Sequence, residues 1–135
     1  MADLIEQIIA PDVPEPVPNI FSNCLKVGDQ LFISGMTAAD ADGAMAGGDS
    51  AYGQAQACFR KIRDVVEAAG GRMTDVVKLT IYLTDMADRP ELGRARKEFF
   101  SGRMPCSTLV GISTLVNPAM RVEIEATAIL GASGS

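Results

Sequence analysis

Apolar and polar positions alternate most cleanly in the middle of the chain. Val77, Leu79, Ile81 and Leu83 take turns with Lys78, Thr80, Tyr82 and Thr84, a period of two that predicts a strand with one buried face. Upstream the period lengthens. Ala51, Ala55, Cys58, Phe59, Ile62, Val65, Val66 and Ala69 step by three or four, which gathers them into one stripe of an α-helix. Asp49 or Ser50 can cap its start, and Gly70-Gly71 supplies a left-handed stop. A helix of about 20 residues at roughly 1.5 Å each is near 30 Å long, enough to cross a small sheet.

Shorter signals surround these two. Gly28-Asp29, between Cys24–Val27 and the run ending at Ile33, predicts a tight hairpin, and Ser34-Gly35 ends its second strand. Residues 37–49, rich in Ala, Asp and Gly, predict an exposed loop. A second helix is expected from about Pro90 to Phe100, with proline tolerated in its first turn. Strands are expected near Ser107–Ser113 and Arg121–Ile129. Leu4-Ile5 and Ile8-Ile9 fit either an edge strand or one helical turn. Pro11, Pro14, Pro16 and Pro18 fix φ and supply no donor, so residues 1–18 are expected to form an extended arm on the surface. The order β-β-α-β-α-β-β, with or without an extra N-terminal strand, predicts one α+β domain over residues 1–135. Its simplest form is a mixed sheet carrying two helices on one face.

Composition narrows the chemistry. The 135 residues, 47 % of them hydrophobic, suit a packed core. A domain this small buries only about two-thirds of its unfolded surface, so association is an expected source of stability. The net charge of -5 argues against a phosphate-neutralising groove, despite a local basic strip from Arg89 to Arg103. Nucleic acid is therefore not expected as a main partner. The chain has no histidine. That removes Ser-His-Asp and Cys-His nucleophile pairs, His-ligated zinc and the usual neutral-pH proton shuttle. Acid–base work must fall to carboxylates, thiols, Tyr, Lys, backbone groups or water, and no metal site is expected. Gly47-Gly48 and Gly70-Gly71 lack phosphate-loop spacing and read as turns. Cys24, Cys58 and Cys106 are odd in number and far apart, which favours a reducing cytoplasm. The acidic N-terminus has no basic region and only a short apolar run, so neither a secretion signal nor a membrane span is expected.

Four stretches carry a family resemblance: Phe32-Ile33-Ser34-Gly35, Val65–Gly70 followed by Asp75–Lys78, Glu98-Phe99-Phe100, and Val122–Ala126. In order and spacing, from about Ile8 to Ile129, the chain resembles the Rid family, the YjgF/RidA-type reactive-intermediate deaminases. The resemblance implies a chorismate-mutase-like α+β fold. It also implies a homotrimer whose three sheets form a central barrel, with ligand clefts between subunits. The activity implied is hydrolysis of enamines and imines left by amino-acid dehydratases, without a cofactor.

Residue by residue, the implied site is altered. Where the family has Pro-x-Arg-x-Cys, this chain has Pro105-Cys106-Ser107-Thr108-Leu109. Ser107 stands in place of the Arg that grips a substrate carboxylate, and Leu109 in place of the Cys. Alternation along a strand puts both on one face, so both are expected to change the same pocket wall. Losing a charged hydrogen bond of the Arg–carboxylate kind costs about 1.5–3 kcal/mol, or one to two decades in affinity. Phe21 replaces an aromatic hydroxyl, and Gly93 and Arg96 replace Asn and Tyr on the second helix. What is kept is Ser34-Gly35, whose backbone amide can meet a ligand oxygen, and Glu125, the family's candidate for water activation.

Each candidate also has an ordinary reading. Glu125, with Glu123 and Thr127, can be a solvated or salt-bridged strand carboxylate, and Glu123 reads as structural. Arg96 fits a solvated basic helix face with Arg94 and Lys97, and Arg103 has the same standing. Cys106 and Cys24, lacking a partner that lowers a thiol pKa, read as small buried hydrophobes. Cys58 reads as core, and Tyr82 as packing or subunit contact. Three functions compete. The first is a hydrolase of C=N or C–N bonds whose substrate lacks an α-carboxylate or is held by Arg96 or Arg103, so 2-iminobutanoate is not the expected substrate. The second is a non-catalytic trimer binding a small apolar metabolite. The third, an endoribonuclease or translation inhibitor, is disfavoured by the acidic balance and the missing histidine.

Overall fold

Ser50 starts the long helix α1 (Ala51–Ala68), its side-chain oxygen accepting the Gly53 N–H at 3.0 Å. Gly70, at φ 92°, and the Gly71 N–H donating to the Val66 carbonyl at 2.9 Å end it, as the glycine pair predicts. Just before the cap, Gly47 (φ 82°) presses on Gly53. A Cβ at either would lie 2.3 Å from the other's backbone, so both positions require glycine.

The computed structural model describes residues 3–134. Its strands are β1 (Ile5–Gln7), β2 (Cys24–Val27), β3 (Gln30–Met36), β4 (Val76–Leu83), β5 (Cys106–Gly111) and β6 (Val122–Ile129), with the second helix α2 at Arg89–Phe99. They form one mixed sheet in the order β1-β2-β3-β6-β4-β5, with β4 and β5 parallel and the other neighbours antiparallel. The N-terminal apolar stretch is thus an edge strand rather than a helical turn. The hairpin between β2 and β3 turns on Gly28 at φ 62°.

Helix α1 packs on β3 and β6 and against α2. The core between the layers holds Phe59 and Ile62 from α1, Leu31, Leu79, Ile81 and Ile124 from the strands, and Leu92 from α2, all fully buried. Each such side chain contributes about 1.5–3 kcal/mol through burial. Phe59 meets the rings of Phe99 and Phe100 at 5.4 and 5.7 Å, which ties α1 to the end of α2.

Two expectations need correction. The Pro-rich arm does not simply lie on the surface: Ile8, Ala10 and Val13 are buried in the core, and buried Asn23 donates to the Pro14 carbonyl at 2.9 Å. Val77 is not a regular inward position. A bulge pairs Val76 with Ala128 and Lys78 with Thr127, so Val76 is buried and Val77 only half-buried. From Leu79 onward the alternation holds. The loop over residues 37–49 is mostly exposed, with Met45 and Ala46 half-buried and its start more covered. There Ala38 is buried, and Lys61 Nζ donates to the Thr37 and Ala39 carbonyls at 2.7 and 2.6 Å. Among the described residues no helix is long and apolar enough to cross a membrane.

Candidate functional site

Strand alternation sends Val122, Ile124, Ala126 and Ala128 of β6 into the core and leaves Glu123, Glu125 and Thr127 on the face without helices. Beside them β4 presents Lys78, Thr80 and Tyr82, and β3 presents Phe32 and Ser34. An open cleft of about 520 Å³ lies on this face, walled by Phe21, Phe32, Ser34, Lys78, Thr80 and Glu125 among others. The Phe21 and Phe32 rings are roughly half exposed (54 % and 47 %), so the cleft offers apolar surface beside its polar groups.

Glu125 is half-buried, and the Tyr82 hydroxyl donates to its Oε1 at 2.7 Å. That bond, burial, and the charges of Glu125 and Glu123 push the Tyr82 phenol pKa up, so it stays a donor. Burial, then the Glu125 charge, pushes the neighbouring Glu123 pKa up as well. Glu123 presses against Gly35, where an added Cβ would lie 2.6 Å from its Cδ and Oε1. This face therefore joins two carboxyls, a phenol and an amine. Such a set can orient a water molecule and pass protons to and from a bound ligand.

Of the residues named from the sequence, Phe21, Ser34 and Glu125 meet in this cleft. The Ser34 N–H is engaged by the Asn23 carbonyl at 2.9 Å and its hydroxyl by the Ser22 carbonyl at 2.6 Å. Ser34 thus offers a ligand only its oxygen as acceptor, and Gly35 makes room for Glu123. Ser107 and Leu109 do share a face, but it is the other one. They pair with Leu79 and Ile81, whereas Cys106, Thr108 and Val110 pair with Lys78, Thr80 and Tyr82. Leu109 packs against the core and does not line the cleft. Within the chain Ser107 is not beside Glu125, because the register of β5 on β4 fixes its direction.

Arg96 reaches across from α2, its Nη1 donating to Ser107 Oγ at 2.9 Å, so it is not merely a solvated helix charge. Cys106 is exposed, against the expectation of burial, because β5 is an edge strand with β4 as its one neighbour. Cys24 and Cys58 are buried, and burial pushes their thiols up to about 11 and about 12 respectively. Arg103 and Gly93 are not among the cleft residues. Sequence reasoning missed Lys78, Thr80 and Thr127 as cleft residues and Tyr82 as the partner of Glu125. The signal available was their place on the polar side of their strands, which shows a shared face but not the neighbouring strand.

The sequence pattern of the family described as Endoribonuclease L-PSP matches residues 14–130 of this chain. A 2-iminobutanoate/2-iminopropanoate deaminase from Dermatophagoides farinae is 32 % identical over 123 residues, covering 91 % of this chain and 94 % of that protein. The crystal structure of a protein of unknown function from Pseudomonas aeruginosa matches with TM-score 0.84 and 41 % identity, covering 93 % of this chain and 92 % of that one. The crystal structure of RidA from an Antarctic Psychrobacter matches with TM-score 0.83 and 28 % identity, covering 93 % and 99 %.

Proposed function

Because this chain belongs to the Rid (YjgF/RidA, L-PSP) family, we propose that it is a cofactor-free hydrolase of the enamine/imine deaminase type. It would act on a small metabolite in a cleft completed between subunits of a homotrimer. The observation that carries this reading is Glu125, half-buried on the cleft wall with one oxygen fixed by Tyr82. In the proposed reaction Glu125 takes a proton from water as the water oxygen bonds to the C=N carbon. The nitrogen receives a proton as its π bond opens, giving a carbinolamine. A further proton reaches nitrogen as the C–N bond breaks, and the hydroxyl proton leaves as the carbonyl forms. The balance is imine plus water to carbonyl compound plus ammonia, with no oxidant or reductant.

The partner edge of the cleft is proposed to come from another copy. Strand β5 is mostly exposed along its length and has one neighbour, a liability that association removes. A ring of head-to-tail contacts would bring the α2–β5 edge of one copy over the cleft of the next. Arg96, seated on Ser107, then supplies the cation that position 107 itself lacks. This favours the version of the reading in which a substrate carboxylate is held by Arg96, over one in which the substrate carries none. The three free thiols suit a reducing cytoplasm.

The test is turnover of a panel of imines generated in situ, with and without an α-carboxylate. Glu125→Gln is expected to lower kcat/KM by about 100-fold or more, as for loss of a general base. Arg96→Met is expected to raise KM about 10- to 100-fold for carboxylate-bearing imines alone. No acceleration across the panel, or a fully active Glu125→Gln, overturns the hydrolase. A second reading, non-catalytic binding of an uncharged metabolite, rests on the Phe21 and Phe32 rings. Tight binding of neutral compounds without turnover would favour it.

A further inference from the structure

We propose that Tyr82 is a positioning residue of this cleft, its hydroxyl fixing Glu125 through Oε1 so that Oε2 remains the atom presented to water or ligand. The inference rests on the hydrolase reading for its kinetic consequences but not for its geometry.

Tyr82 and Glu125 lie 43 residues apart and meet only because β4 and β6 are neighbours. The register places Tyr82 opposite Glu123, and Glu125 opposite Thr80. The phenol therefore bypasses the carboxyl on its own rung and leans two residues along β6 to the next one, a diagonal reach open to a long aromatic side chain. No described residue donates to Oε2 of Glu125, so the carboxyl is held at one oxygen. A glutamate anchored at only its Cα samples several rotamers; one anchored at an oxygen as well keeps the direction of its other oxygen.

Chemistry on this face also calls for a neutral donor here. The titratable groups facing Glu125 are Tyr82 and Lys78 from β4 and Glu123 from its own strand, while β3 contributes Phe32, Ser34 and Gly35, none of which titrates. Lys78 is exposed and makes no ion pair among the described residues, so it is screened by water. Glu123 is a like charge whenever it ionises. The phenol is thus the neutral donor held on Glu125, and it remains protonated because its bond to Glu125, burial and the charges of Glu125 and Glu123 all raise its pKa.

Tyr82→Phe removes one oxygen and keeps the ring, so folding is expected to be retained. The expected result is a loss of roughly 10- to 100-fold in kcat with KM within about twofold. A readout independent of turnover separates this proposal from the functional one: ultraviolet titration of the phenol in full-length protein carrying Tyr52→Phe, in which Tyr82 is the remaining tyrosine. The bond to Glu125 and its charge raise the Tyr82 pKa, so adding Glu125→Gln is expected to lower that midpoint. If wild-type protein turns over nothing, a lowered midpoint still supports the Tyr82 assignment while the hydrolase reading fails. An unchanged midpoint overturns the assignment, and so does a Tyr82→Phe loss that falls on KM and leaves kcat in place.

Discussion

Gln54 ties the turn before α1 to the residues that lead into β6. It is fully buried near the start of α1. Its Nε2 donates to the Gly48 carbonyl at 3.0 Å and to the Ala119 carbonyl at 2.9 Å, and its Oε1 accepts the Arg121 N–H at 2.8 Å. One amide thereby joins the turn before α1 to the residues that lead into β6, the strand bearing Glu123 and Glu125. Gln54→Met keeps the length and flexibility of the side chain and removes all three bonds. Two carbonyls and one N–H are then left without partners, at about 1–3 kcal/mol each. Each carbonyl keeps a second lone pair, and both loops can admit some water, which places the sum at about 3–5 kcal/mol. Domains of this kind have about 5–15 kcal/mol in all, so the variant should fold but melt roughly 10–20 °C lower. Urea unfolding at pH 7 is the assay, with Gln56→Met as control. Gln56 lies two residues on, half-buried, and bonds to Tyr52 and Glu98 at the surface, so its loss should cost less than about 1 kcal/mol. A Gln54→Met loss no larger than that of the control would refute the reasoning that this amide holds the entry to β6.

Two further outcomes follow from the titration of buried groups. Glu123 has its pKa raised above the usual 4.5, so between that value and the raised one the folded protein holds more protons than the unfolded chain. Its contribution is full below the usual value and is lost as pH rises through the raised one. Gly35→Ala places a methyl 2.6 Å from the Glu123 Cδ and Oε1, where contacts normally need about 3.5 Å or more. The carboxyl should move toward water and lose this dependence, so the stability difference between wild type and Gly35→Ala should shrink with rising pH across the window. Parallel curves would show that Glu123 had not moved. The thiols are the second case: Cys24 and Cys58, buried and raised to about 11 and about 12, should resist an aromatic disulfide reagent until the protein is unfolded. Rapid labelling of either in native protein would contradict the core described above.

What the sequence by itself determined is local. Ser50 and Gly70 bound α1, Gly28 turns the hairpin, and alternation in β4 and β6 separates core residues from Lys78, Thr80, Tyr82, Glu123 and Glu125. The order of family-like segments also gave the correct α+β architecture. Caps, turns and periodicity depend on neighbours within a few residues, which is why they can be read along the chain. Only the tertiary structure decided which strands lie side by side. The parallel placement of β5 on β4 turned Ser107 and Leu109 toward the helices and away from Glu125, although their common face had been foreseen. The bulge at Val77 and the burial of Ile8 and Val13 were likewise hidden, since a pattern shows an apolar residue but not the surface it will meet. The bonds from Tyr82 to Glu125 and from Arg96 to Ser107 arise from sheet order and helix docking. Those are set by how the whole core packs, a sum over many distant contacts that no short window of sequence contains.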